Sequence, residues 1–231
     1  MSGMMSCMTP VLGRRVPEAE PGRAVPPGRV GYDLGSRRML LHTVQTAAAL
    51  DALIATGTLR PDPSLAEADF ADAYDWMCRQ MKVRLPTSGD GALWLWAQTR
   101  REHLVSCCRH ARGQVLLTCR VPSDRVLLSH FDGWHSVLNR GLGVMPRLPG
   151  ESEDDAFARW EKASDEMDAR LESAGVRAAP VRDWPAGLRA EIERSWECIF
   201  DRGNYGRHDV WQGTVHALYA EDVVAAVRIA R

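Results

Sequence analysis

The sequence predicts a single α+β domain: a small, mostly antiparallel sheet with flanking helices. Three observations carry this expectation. Strand-like and helix-like periods alternate irregularly, without the regular repeat of a doubly wound sheet. Two strand candidates, "QVLLTCRV" at 114–121 and "VLLSHFD" at 126–132, have the turn residues "PSD" between them, as in a hairpin-like pair. Neither G-x-G-x-x-G nor G-x-x-x-x-G-K-S/T occurs, so a Rossmann or P-loop nucleotide fold is not expected.

Taken in order, residues 1–36 are rich in Pro, Gly, Arg and Ser, and are expected to be disordered or loosely packed, leaving 37–231 as the domain. "RRMLLHTVQT" at 37–46 reads as a buried strand. "TAAALDALIATG" then reads as a helix, with Thr46 as N-cap and Gly57 as C-cap, and "TLRPDPS" as a turn. Residues 65–85 predict a helix with Phe70, Tyr74, Met77 and Met81 on one stripe. Trp76 points about 200° away from Tyr74, so one of the two is core, and Tyr74 shares the stripe. "ALWLWAQ" reads as a strand with Trp94 and Trp96 on one face. "GWHSVLNRGL" is a short helix, and 151–175 is a highly charged helix, with Phe157, Trp160 and Met167 as its sparse apolar side, expected as a surface insertion or flap. Residues 185–201 form an amphipathic helix. "VWQGTVHALY" is a strand, and Ala220-Glu221-Asp222 starts a short closing helix.

Hydrophobic residues at 45% and charged residues at 26% fit an ordinary globular chain able to build a core. A net charge of −1 argues against binding that rests mainly on phosphate neutralisation, so tRNA is not favoured as a partner. The four arginines and two histidines of "RREHLVSCCRHAR" at 100–112 read as a solvated helix and loop. The six cysteines include no C-x-x-C pair and no zinc spacing, no secretory signal precedes them, and no run approaches the roughly 20 apolar residues that span a bilayer. The expectation is a cytoplasmic protein with reduced thiols, no metal and no membrane partner. Eight tryptophans are many, and some are expected to line a groove.

"SHFDGWHSVLN" at 129–139 concentrates polar groups and allows three readings. A metal site would use His130 and His135, but their spacing is not H-x-x-x-H and no third ligand is near. A catalytic dyad would have Asp132 orient His135 as general base. A structural reading has Asp132 cap a helix starting at Gly133, with Trp134 and Leu138 packed inward. His42 alone reads as a core or edge histidine, and Asp75 with Arg79 as a surface ion pair. Cys107 and Cys108, beside His103 and His110, read as inert thiols.

The stretches "HTVQTAAALDALIATGTLR", "AYDWMCRQMKVRL", "LWLWAQ", "VLLTCRVPSDRVLLSHFDGWHSVLN", "SWECIFD" and "VWQGTVHALYAEDVV" together resemble a bacterial domain-of-unknown-function family, number 3841. They spread over 42–224, and the departures are the Pro-rich N-terminus, the charged 151–175 segment and Gly213 in place of alanine. That resemblance implies a fold group and no reaction. The opening layout, a strand carrying His42-Thr43, then a helix and "GTLR", is in turn similar to the first block of ADP-ribosyltransferase-like domains. There a histidine or arginine at the strand's end holds the nicotinamide ribose of NAD. "WQGTVHALYAEDVVAAV" is similar to their last block, but Thr214 stands where the resemblance implies a glutamate two residues after Gln212. NAD is therefore the candidate cofactor, in a cleft lined by His42, Thr43, Tyr74, Trp134 and Gln212, with His135, Asp132 and Gln212 as catalytic candidates. The expected activity is ADP-ribosyl-type transfer. The alternatives are an aminoacyl-tRNA-dependent or other group transferase, and a non-catalytic binding module. The acceptor, small molecule or macromolecule, has no signature in the sequence.

Overall fold

The computed structural model describes residues 12, 15–28, 30, 31 and 34–231. The chain runs β1 (Glu18–Ala19), α1 (Pro21–Ala24), β2 (Val30–Gly31), β3 (Arg38–Gln45), α2 (Ala47–Thr56), β4 (Thr58–Leu59) and α3 (Ala71–Arg84). It continues with β5 (Leu93–Thr99), α4 (Arg101–His110), β6 (Val115–Pro122), β7 (Leu127–His130) and α5 (Phe131–Leu138). Last come α6 (Glu153–Ser173), α7 (Ala186–Trp196), β8 (Trp211–Val215), β9 (Leu218–Tyr219) and β10 (Val223–Ile229). This is a single α+β domain. Its sheet is broader than expected, with eight strands in the order β1-β10-β6-β3-β5-β8-β7 and β2 beside β5. All neighbours are antiparallel except β1 and β10, and β4 pairs with β9 in a separate ribbon.

Local chemistry sets the helix ends. Thr46 accepts from Ala49 N at 3.0 Å, and Gly57 closes α2 at φ 73°. Ser152 caps α6, whose first turn carries Glu153, Asp154 and Asp155 at the positive end of the helix dipole.

Three expectations about the path of the chain are corrected. The strands around "PSD" do not form a hairpin: β6 lies between β3 and β10, whereas β7 crosses to the far edge and pairs with β8. Arg125, at the end of that turn, is clamped bidentately by the buried Asp222, at 2.8 and 3.2 Å, and this turns the chain away from β6. Second, the C-terminal segment is not a helix. Ala220–Asp222 makes one 3-10 turn, whose Asp222 side chain is committed to Tyr219 N and to arginines, and the valine- and isoleucine-rich remainder enters the sheet as β10. Third, the described part of the N-terminal segment packs tightly. β1 pairs with β10, Val25 and Val30 are buried, and Arg101 binds the carbonyls of Val25 and Pro26. The rest of that expectation, with Cys7, lies outside the described residues.

The sheet has two differently covered faces. One packs α2 through Leu50 and Leu53 against Leu41, Leu117 and Val215. The other carries two helical groups: α1 and α4 over Leu116 and Ile229, and α3, α5, α6 and α7 around Trp76, Trp134 and Trp196. Met167 and Leu171 anchor α6 in that second core, so it is a packed layer and not a flap, although Phe157 is exposed. Of the two aromatic residues, Trp76 and not Tyr74 joins Met77 and Met81 as fully buried core of α3. None of the helices in the described residues is long and apolar enough to cross a membrane.

Gly213 is explained by packing: a Cβ there would lie 2.7 Å from a Val126 methyl. Gly213→Ala is expected to cost about 1–3 kcal/mol of stability in urea unfolding. A variant as stable as wild type would show that Val126 yields freely.

Candidate functional site

β3 pairs with β6 along all eight residues but meets β5 at one pair only, His42 with Trp96. On one side of that joint β2 takes the edge of β5 at Gln98 and Thr99. On the other side no backbone bridge joins the two strands. There the Thr43 hydroxyl donates to the Trp94 carbonyl at 2.9 Å, doing what a strand amide would otherwise do, and Gln45 donates to Thr43.

Across the joint runs a row of in-register side chains: Thr118, His42, Trp96, Gln212 and Ser129. Residues so paired share one face, here the one covered by the two helical groups and not by α2. His42 is 1% exposed, with Nδ1 3.1 Å from Thr118 Oγ1. Burial pushes its pKa down to about 4, so the ring is neutral at neutral pH. Gln212 Nε2 and Ser129 Oγ are buried and have no hydrogen-bond partner among the described residues. Such atoms are uncommon, because each lacks the partner that would offset its desolvation.

Two hollows meet at the split. One, of 270 Å³, lies between α4 and α5, with Cys107, Ala111 and Phe131 as walls and Val44, Trp96 and Gln212 as floor. The other, of 450 Å³, lies towards α3 and is bordered by Gln45, Tyr74, Asp75, Cys78 and Asp90. Thr43, Val44 and Trp94 border both. Behind them stands an aromatic stack, with Trp134 4.8 Å from Trp94 and 6.3 Å from Tyr74 between ring centres.

The start of α5 accounts for the crowded 129–139 stretch. The helix begins at Phe131, and its N-cap is His130, not Asp132. His130 Nδ1 accepts from Gly133 N at 3.0 Å, so the proton sits on Nε2, 3.4 Å from Asp209 Oδ2. The ring stacks on Tyr205 at 3.7 Å, and burial pushes its pKa down. Gly133 admits this approach, since a Cβ there would lie 2.8 Å from Tyr205 Oη. Asp132 and His135 are both exposed, and His135 Nδ1 lies 3.1 Å from its own helix's Phe131 carbonyl rather than on Asp132.

Of the predicted site residues, then, Thr43, Tyr74 and Gln212 line the hollows. His42 and Trp134 stand buried behind the lining, while Asp132 and His135 lie outside it. The walls that sequence reasoning missed are Trp94, Trp96, Phe131 and Asp75. The two tryptophans showed their shared face in the sequence, but nothing showed that the strand beside them splits away. Asp75 is not paired with Arg79, which reaches Glu193 at 2.8 Å. Burial raises the pKa of Cys107 and pushes that of Cys108 up to about 11, so neither is an activated thiolate. No group of three or more His, Cys, Asp or Glu among the described residues is placed to hold a metal ion.

The model of the Domain of unknown function (DUF3841) matches residues 40–224, and the chain belongs to that family. Neither the curated proteins nor the solved structures include a match to it.

Neutral, buried His42 makes stability depend on pH. The unfolded chain takes up its proton near the ordinary 6.5, the folded chain only near 4. Its contribution is therefore complete above 6.5 and falls by about 3 kcal/mol as pH drops towards 4. Urea unfolding of wild type and His42→Gln should give a smaller loss between about pH 7.5 and 4.5 for the variant. Equal losses would show that His42 does not titrate in this way.

Proposed function

We propose that this family member binds NAD where its sheet splits and transfers the ADP-ribose group. The observation that carries the reading is the buried, unpartnered Gln212 Nε2 on the floor of a hollow that Trp94, Trp96 and Phe131 also line. A nicotinamide ring stacks on aromatic walls, and its carboxamide accepts from Gln212 Nε2, satisfying the orphaned donor.

In the reaction the bond between ribose C1′ and the nicotinamide nitrogen breaks, and its electron pair leaves with neutral nicotinamide. The acceptor adds at C1′ and gives up its proton. Positive charge develops on the sugar, and a carboxylate facing it lowers the barrier. Thr214 does not fill that role: it is fully buried, with its hydroxyl on the Leu127 carbonyl at 3.3 Å. On this reading Asp75 and Asp90, bordering the adjoining hollow, supply the negative charge. The same rim weighs against a tRNA backbone, because Asp62, Asp75 and Asp90 border the 450 Å³ hollow and no basic side chain does.

Calorimetry with NAD tests binding, and mass spectrometry of released nicotinamide tests transfer. Gln212→Leu is expected to weaken NAD binding about tenfold or more. Asp75→Asn should keep binding but slow nicotinamide release by about tenfold or more. A wild-type protein that neither binds NAD nor releases nicotinamide with any acceptor tried would overturn the proposal.

A further inference from the structure

A third hollow, of 310 Å³, opens away from the split. Arg60 reaches it from the end of β4, Thr87 and Ser88 from the loop joining α3 to β5, Arg125 from the turn before β7, His216 from the β8–β9 connection and Tyr219 from β9. These side chains offer two guanidiniums, an imidazole and three hydroxyls, and no lining residue is acidic. Such a set of donors matches an anion with several acceptor oxygens.

Three details argue that the hollow is built for a ligand. Arg125 is oriented: Asp222 holds it at 2.8 and 3.2 Å, the Ala217 carbonyl at 3.3 Å, and the Tyr219 ring lies 4.4 Å beneath it. A guanidinium has five N–H donors, so these three bonds leave others for a guest. Charge there is not balanced, since the same Asp222 carboxylate also faces Arg38 at 3.5 Å and Arg60 makes no ion pair with any described residue. Lastly, His216 is 3% exposed, with Nδ1 2.9 Å from Thr87 Oγ1, and its Nε2 has no hydrogen-bond partner among the described residues. Gly89 lets the loop close over that ring, because a Cβ there would lie 2.9 Å from His216 Cβ.

We propose that this hollow binds a phosphate group, either free phosphate or the terminal monoester of a small molecule. It is a separate site from the NAD hollow and does not depend on NAD binding.

Inorganic phosphate and ribose 5-phosphate, titrated calorimetrically into the full chain at constant ionic strength, test this. Both are expected to bind saturably. Arg60→Ala, a change at an exposed side chain, should weaken binding about tenfold without moving the melting temperature. Gln212→Leu should leave it unchanged, which separates this site from the NAD hollow. Tighter binding of ribose 5-phosphate would identify the ligand as a monoester, and equal binding as the free anion. Absence of saturable binding by either probe, or equal binding by Arg60→Ala, would overturn the proposal.

Discussion

One strand pairing, His42 on β3 with Trp96 on β5, is the backbone link between the two parts of this sheet. To one side lie β1, β10, β6 and β3, and to the other β5, β8 and β7. Each part is bound by several pairings between neighbouring strands, whereas the joint has a single pair. The constraint that follows is local but far-reaching. Past the joint the backbone groups of β3 and β5 need other partners, and the Thr43 hydroxyl is one of them. The space so opened becomes the two hollows, with Thr43, Val44 and Trp94 common to both.

The joint also explains why polar side chains sit where a core would be apolar. His42 and Gln212 flank Trp96 in register, and Ser129 and Thr118 extend the row on either side. His42 is satisfied by Thr118, and its neutral form costs less to bury than a charged ring. Gln212 and Ser129 are left with unpartnered atoms at the end nearer α5. A row satisfied at one end and unsatisfied at the other is where a ligand with hydrogen-bonding groups gains most.

Features that act within a few residues were legible in the sequence. Thr46 and Gly57 mark the ends of α2, and the alternation of Trp94 and Trp96 marks a face of β5. What depends on distant partners was not. His130 caps α5 because Tyr205 and Asp209, more than seventy positions away, fix its ring. β7 leaves β6 because Arg125 is held by Asp222, almost a hundred positions on. The residues after Asp222 form a strand and not the expected helix because β6 offers an open edge to Val223–Ile229. The site itself divides in the same way. Gln212 and Tyr74 were identified by residue type and layout, whereas the split that exposes Trp94 and Trp96 is a property of strand pairing alone. The crowding of polar groups at 129–139 is a capping device, and the chemistry attributed to Asp132 and His135 does not lie at the hollows.

On the proposed reading, NAD sits in the opening beside the His42–Trp96 joint. The indole N–H resonances of the eight tryptophans, assigned by single Trp→Phe variants and followed as NAD is added, test it most directly. The account predicts that Trp94 and Trp96 shift together while Trp160 and Trp184, bound to the carbonyls of Gly143 and Ala179, stay in place. No shift at Trp94 and Trp96 at saturating NAD, or shifts confined to Trp160 and Trp184, would contradict it.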